Sequence, residues 1–164
     1  MASTQQWDEW NGAGQTLTAN VTNMNWKNID DATSAYTAQP ITAGNNSFTK
    51  YQAVKFGGTY NTLSSASYKI DVNSEQSGAV TIKGAVVSTY TTPSTTASGD
   101  ALMSTTGLAA SFGTGASAFS TAGGTSTSTN PIYLQALRTQ LQTTGAAAPG
   151  DITAKTITCT WTES

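Results

Sequence analysis

Apolar and polar residues alternate with a period of two along much of the chain. The clearest case is residues 67–73, SYKIDVN, in which Tyr68, Ile70 and Val72 alternate with polar residues. This period is typical of a β-strand that has one buried and one solvated face. The turn sequence SEQSG and the apolar-rich residues 79–90, AVTIKGAVVSTY, follow. The pattern therefore predicts a β-hairpin formed by these two segments.

An earlier segment, SFTKYQAVKFGGTYN, carries apolar residues on both faces of the predicted strand. Phe48, Val54 and Phe56 share one parity, and Tyr51 and Ala53 share the other. Apolar side chains on both faces are typical of a strand that is covered on both sides. We therefore expect this strand to lie inside the domain or at a contact between subunits.

Two further segments near the C-terminus are predicted as strands. The last residues, DITAKTITCTWTES, place Ile157, Cys159 and Trp161 on one face. In residues 131–142, Pro131 and the spacing of the leucines also fit a helix. We predict a strand there, because the neighbouring elements are strands and a long hairpin with the C-terminal strand would complete a sheet.

The N-terminal residues 1–14 are predicted to form a short arm. Ser3 and Gln6 match a capping box, which predicts a short helix through Trp7 and Trp10. The two indoles would then share one face of the helix. Two interpretations stay open: a flap that packs on its own domain, and an arm that docks on a neighbour.

Strands separated by turn clusters, without the spacing of βαβ units, predict an all-β fold. We expect an antiparallel β-sandwich or jelly roll over residues 15–164. A long insertion rich in Ser, Thr, Gly and Ala, residues 91–130, would interrupt it.

This insertion is unusual because its only charge is Asp100 while it carries several large apolar side chains. A flexible linker lacks such side chains. We therefore predict that the insertion is ordered at an interface between subunits, with Phe112 and Phe119 as anchors. The full set of predicted interface residues is Trp7, Trp10, Leu102, Met103, Phe112 and Phe119.

The chain is poor in charge, with 10% Asp, Glu, Lys and Arg against about 25% in an average domain. Its polar surface must come from Thr, Ser, Asn and Gln, and such a surface repels its own copies weakly. A neutral extracellular-type surface and an assembly surface both fit. The seven basic residues are scattered from Lys27 to Lys155, so no nucleic-acid partner is expected.

No membrane partner is expected either. The first residues have neither a basic nor an apolar region of the kind found in signal peptides. No apolar run approaches the roughly 20 residues that span a bilayer. We expect a soluble chain that is made in the cytoplasm of its host.

The residues that usually carry catalysis are few. Histidine is absent, which removes the commonest general base and metal ligand. Cys159 lies mid-strand and is predicted to be a buried, unreactive thiol. Asp30 and Asp31 are adjacent, so in an extended chain they point to opposite faces; the same holds for Asp8 and Glu9. The sequence predicts no enzyme, no cofactor and no metal.

Three stretches are similar to small virion structural proteins of tailed bacteriophages: MASTQQWDEWNGAG, NWKNIDDATSAYTAQPITAGNNSFTKYQAVKFGGTYNTLSS and DITAKTITCTWTES. The resemblance implies a β-sandwich or jelly-roll subunit that is present in many copies on the particle. It brings no catalytic residues with it.

The function that we expect from this resemblance is capsid decoration: a cement protein that binds the major capsid protein or other virion subunits, as a homo-oligomer. One alternative is a head- or tail-fibre component that contacts host glycans. Another is a stand-alone carbohydrate-binding β-sandwich.

Overall fold

A computed structural model of the protein describes residues 3–71, 78–113, 117–120, 132–148 and 154–164. These residues form β-strands and one short 3-10 helix, without an α-helix among them, so the all-β prediction is confirmed. The strands are Ser3–Asn11 (β1), Thr16–Thr18 (β2), Lys50–Gly58 (β3), Leu63–Ile70 (β4), Val80–Val87 (β5), Ala101–Leu102 (β6), Leu108–Ala110 (β7), Ile132–Tyr133 (β8), Ala136–Thr143 (β9) and Ile157–Glu163 (β10), and the 3-10 helix is Tyr36–Ala38.

The strands form two antiparallel sheets within the described part of the chain. The larger sheet has the order β2-β1-β3-β9-β5-β6, and β8 pairs with the end of β3. The smaller sheet has the order β10-β4-β7. Side chains from both sheets meet in one hydrophobic cluster, which includes Phe56, Tyr68, Ile70, Ile82 and Leu137.

Strand β3 is buried on both faces, as its sequence predicts. Val54 and Phe56 belong to the cluster that both sheets share. Tyr51 and Ala53 point to the opposite face, where a second cluster contains Trp10, Tyr133 and Ala136. Tyr90 and Phe119 pack against this second cluster, so one chain covers both faces of β3.

The predicted N-terminal helix is wrong. Residues 3–11 form β1, which pairs with β3 from Ser3 opposite Gly58 to Trp10 opposite Tyr51. The Ser3 hydroxyl donates to the Glu163 carboxylate instead of capping a helix. A capping box stabilises only one turn, whereas pairing with a long strand satisfies the backbone along the whole segment. The predicted arm is thus a strand of the larger sheet.

Both predicted hairpins are wrong, although the strands themselves exist. β4 pairs with β10 and β7, whereas β5 pairs with β9 and β6. The segment at residues 131–142, for which a helix also fits, contains most of β9, so the strand prediction is confirmed there. β9 lies in the larger sheet and β10 in the smaller one, so the two do not form a hairpin. Alternation of apolar residues specifies which face of a strand is buried, but it does not specify which other strand pairs with it.

The described part of the predicted insertion, residues 91–113 and 117–120, packs on the same domain. β6 pairs with β5, and β7 pairs with β4. Phe112 forms an isolated bridge with Leu134. Residues 114–116 and 121–130 of the predicted insertion lie outside the described residues.

Candidate functional site

The six predicted interface residues are mostly part of the domain's own core. Met103 and Phe112 belong to the cluster that the two sheets share, and Trp10 belongs to the second cluster. Trp7 and Phe119 are half-buried and pack against these clusters. The expectation that Phe112 is free to anchor a neighbour is therefore corrected, because its ring is already fully enclosed.

Leu102 alone of the six is exposed, with 46% of its surface accessible. Sequence reasoning missed three other large apolar side chains that are exposed in the same way. They are Leu17, Ile29 and Tyr36. Leu17 lies between two threonines in the short strand β2, and an apolar residue isolated among polar ones is the signal that identifies it. An interface role for any of these side chains stays a prediction.

Charged side chains, in contrast, are found inside the molecule. Asp8, Glu9, Lys27 and Lys50 are all buried. Lys50 forms an ion pair with Glu9 at 3.1 Å, and each of these side chains is only 1% exposed. Lys27 pairs with Asp31. Charges with so little access to water must be paired and hydrogen-bonded to be tolerated.

Arg138 and Asp100 form a third ion pair, which lies nearer to the surface. The Arg138 Nε and Nη2 atoms donate to the two carboxylate oxygens at 2.9 and 2.5 Å. This bidentate geometry is the one that guanidinium and carboxylate groups favour. The bond to Asp100 raises the pKa of Arg138 above its ordinary value.

A connected polar arrangement lies around Glu9; this Glu9 cluster consists of Glu9, Asn11, Asp30, Lys50 and Gln52. Glu9 Oε1 accepts hydrogen bonds from Lys50 Nζ at 3.1 Å and from Asn11 Nδ2 at 3.0 Å. Glu9 Oε2 accepts one from Gln52 Nε2 at 2.6 Å. Asn11 Nδ2 also donates to Asp30 Oδ1 at 2.9 Å. One carboxylate thus brings a buried amine and a buried amide together.

One atom of the Glu9 cluster is not satisfied. The side-chain carbonyl oxygen of Asn11 is buried and has no hydrogen-bond partner in the part of the chain that the structure describes. Buried polar atoms of this kind are rare in folded proteins and call for an explanation.

Asp8 points away from Glu9, as the sequence predicts for adjacent residues of a strand. Its carboxylate accepts hydrogen bonds from the Tyr133 hydroxyl, from Gln6 Nε2 at 2.8 Å and from the backbone N–H of Asn20 at 2.9 Å. Burial, together with the Asp8 carboxylate, raises the pKa of Tyr133 above its ordinary value. Asp8 and Glu9 therefore act in separate networks on opposite faces of the sheet.

Asp31 organises the segment that leads from β2 to β3. Burial raises the pKa of Asp31, but hydrogen bonds from Lys27 and Ser34 outweigh it, so the pKa lies well below the usual range. The Asp31 backbone oxygen also accepts from Lys50 Nζ at 2.5 Å. This segment therefore closes over the Glu9 cluster.

A shallow pocket of about 260 Å³ lies beside the Arg138–Asp100 pair. Most of its lining residues carry hydroxyl groups, and Tyr51 and Arg138, which are paired across β3 and β9, also line it. The hydroxyl-bearing residues that line it are Thr49, Thr91, Thr92, Ser94, Thr96 and Ser98. Because Asp100 neutralises Arg138, the pocket offers hydrogen bonds without a net charge.

Cys159 lies on the face of β10 that packs against the shared core, beside Ile157 and Trp161. Burial raises the pKa of its thiol to about 12. The thiolate, which is the reactive form, is therefore scarce at neutral pH.

We expect the native protein to react slowly with a thiol-reactive dye at pH 8 and the denatured protein to react at once. The measurement is the labelling rate with and without denaturant. Fast labelling of the folded chain would show that the Cys159 side chain is open to solvent, contrary to its position on the core face.

In the described ranges, no group of three or more acidic or cysteine side chains is arranged to hold a metal ion. The same residues contain no helix of the length and apolarity needed to cross a membrane. Comparisons with protein-family models, with curated proteins and with solved structures found no match.

Proposed function

We propose that the chain is a non-catalytic virion structural protein, and specifically a capsid decoration protein that binds the major capsid shell in many copies. We further propose that its two sheets pack as a β-sandwich of the jelly-roll type. Supporting this fold is the shared cluster, which contains residues of β3, β5 and β9 from one sheet and of β4 from the other.

The observation that carries the proposal is the distribution of charge. The sequence has only seven basic and nine acidic residues, and four of them, Asp8, Glu9, Lys27 and Lys50, are buried. Asp31, Asp100 and Arg138 are engaged in ion pairs within the domain. The solvated surface is thus even poorer in charge than the composition indicates. Such a surface meets copies of itself or a shell with little repulsion and little charge to desolvate.

The exposed apolar side chains are the residues of this surface that we expect to contact a partner. Leu102 lies on β6 at one edge of the larger sheet, and Leu17 lies on β2 at the other edge. A leucine side chain that a partner removes from water contributes roughly 1.5–3 kcal/mol through the hydrophobic effect. Contacts at the two opposite edges would let one subunit bridge two neighbours.

The test is attachment to undecorated phage heads. Purified protein should bind the heads and raise their resistance to heat, because a ligand of the assembled state stabilises that state. Leu102→Ser should weaken attachment by about 30-fold, which corresponds to roughly 2 kcal/mol for a leucine side chain that a partner buries. Leu17→Ser, at the opposite edge, is the matched variant and shows whether both edges are used. Binding of the wild-type protein to tails, and not to heads, would refute the decoration role.

One observation favours the second candidate, a fibre component or sugar-binding domain that contacts glycans. The pocket beside Arg138 and Asp100 combines many hydroxyl groups with a neutralised ion pair. Such a lining suits a neutral ligand with several hydroxyl groups of its own. Binding of the free protein to a glycan array, lost in Arg138→Met, would support this function over decoration.

A further inference from the structure

Lys50 and Asn11 lie on neighbouring strands at positions that face each other. β1 and β3 are antiparallel, and their paired residues run as far as Trp10 opposite Tyr51. One residue further along, Asn11 therefore comes opposite Lys50. Glu9, two residues before Asn11, lies on the same face of the sheet. Its Oε1 atom is 3.1 Å from Lys50 Nζ and 3.0 Å from Asn11 Nδ2.

We propose that Lys50 and Asn11 become joined by an intramolecular isopeptide bond, with Glu9 as the catalytic residue. The Lys50 Nζ atom forms an amide bond with Asn11 Cγ, and the bond from Cγ to Nδ2 breaks. The products are one cross-linked chain and one molecule of ammonia. No oxidant, cofactor or second substrate takes part.

Glu9 supplies the proton transfers that this reaction needs. A lysine amine attacks only after it has lost a proton, and the Glu9 carboxylate is within hydrogen-bond reach to accept it. The transfer replaces two buried charges by two neutral groups, which reduces the cost of keeping them out of water. The protonated Glu9 then donates its proton to Asn11 Nδ2 in the tetrahedral intermediate, so that ammonia leaves as the carbonyl group re-forms. Glu9 takes up the second proton of the Lys50 nitrogen, which leaves a neutral amide.

The unsatisfied oxygen of Asn11 fits this chemistry. The side-chain carbonyl oxygen has no partner among the described residues, so no existing hydrogen bond has to break when the amine attacks and this oxygen takes up negative charge. The nitrogen of the same amide is held by Glu9 and by Asp30. Burying the Asn11 side-chain oxygen without a hydrogen bond costs stability, and its role in the reacting amide explains why it is kept there.

The surroundings keep the three groups in position. Gln52 Nε2 holds the second oxygen of Glu9 at 2.6 Å, and the Asp31 backbone oxygen holds Lys50 Nζ at 2.5 Å. Lys50 and Glu9 are almost completely buried, which excludes the water that would compete for the amide. Neighbours that hold the reacting groups in position, in a site without water, raise the rate of the reaction between the two side chains.

A competing reaction at the same residue also releases ammonia. The backbone nitrogen of Gly12 could attack Asn11 Cγ and form a succinimide. In the folded protein this nitrogen donates a hydrogen bond to Asp30 Oδ2 at 2.6 Å, which holds it away from the side chain of Asn11. The experiment must still separate the two products.

Mass spectrometry of the denatured, trypsin-digested protein tests the proposal. The cross-link predicts a branched peptide in which residues 1–27 are joined to residues 28–55, because trypsin does not cleave after a modified Lys50. The branched peptide should be lighter than its two parts by one ammonia for the new amide bond. Release of residues 51–55 as an unlinked peptide from fully folded wild-type protein would overturn the proposal.

Variants assign the roles. Lys50→Arg should abolish the branched peptide, whereas Lys27→Arg, at another buried lysine, should leave it intact. Ammonia loss that persists in Lys50→Arg would identify the succinimide. If the wild-type protein shows only that product, the cross-link does not exist.

Substitutions of Glu9 test its catalytic role. Glu9→Gln should prevent formation of the isopeptide bond, and Glu9→Asp, which keeps a carboxylate, should form the bond slowly. Complete cross-linking in both Glu9 variants would overturn the catalytic role of Glu9.

Discussion

Phe112→Ala is expected to lower the free energy of unfolding of the isolated domain by about 3–5 kcal/mol, the usual cost of truncating a buried phenylalanine. The Phe112 ring is fully buried and lies 5.5 Å from the ring of Phe56, measured between centroids. Its removal leaves a cavity in the cluster that both sheets share. The measurement is urea unfolding followed by tryptophan fluorescence.

Leu102→Ala is the control, because it removes a similar side chain from the same part of the sequence at an exposed position. We expect a change within about 0.5 kcal/mol, as for other surface substitutions. Equal stability of wild-type protein and Phe112→Ala would show that Phe112 is not a core residue. The sequence alone places Phe112 at an interface between subunits, where its truncation would affect assembly instead.

Asp8→Ala is expected to destabilise the domain by a few kcal/mol, since each buried donor left without a partner costs about 1–3 kcal/mol. The Asp8 carboxylate is fully buried and accepts from the Tyr133 hydroxyl and from the backbone N–H of Asn20. The Tyr133 hydroxyl would lose its acceptor in the interior, whereas Asn20 is exposed and its N–H can bond to water instead. The midpoint of denaturant unfolding measures the effect.

Tyr133→Phe provides the comparison. It removes the hydroxyl donor and leaves the Asp8 carboxylate with its hydrogen bonds from Gln6 and Asn20. We expect a smaller loss, and a double-mutant cycle should give a coupling energy of about 0.5–3 kcal/mol between the two side chains. Additive effects of Asp8→Ala and Tyr133→Phe would mean that the hydrogen bond between them contributes nothing to stability.

Much of the strand content is predictable from local pattern. The alternation around Tyr68 and Ile70 identifies β4 and its buried face, and both residues are fully buried. The two-sided apolar pattern of β3 correctly indicates a strand that is covered on both faces. In both cases the information lies in consecutive residues, because side chains of a strand alternate between its faces.

The candidate site is predictable only in part. The sequence shows that Asp8 and Glu9 must point to opposite faces when extended, and the two carboxylates do join separate networks. It does not show that Glu9 meets Lys50, 41 residues further along the chain. A charge is expected on the surface, and its burial makes sense only once its partner is known.

The sequence by itself determines that this protein is built from strands, which side of strands such as β4 and β10 faces the interior, and that its surface is poor in charge. Each of these properties depends on the identity and order of neighbouring residues. The tertiary structure decides which strands pair, that β1 is a strand of the larger sheet, and that Phe112 lies in the core. It also brings Asn11, Glu9 and Lys50 together. These results depend on contacts between residues distant in sequence, which form only when backbone pairing and burial are satisfied for the whole chain at once.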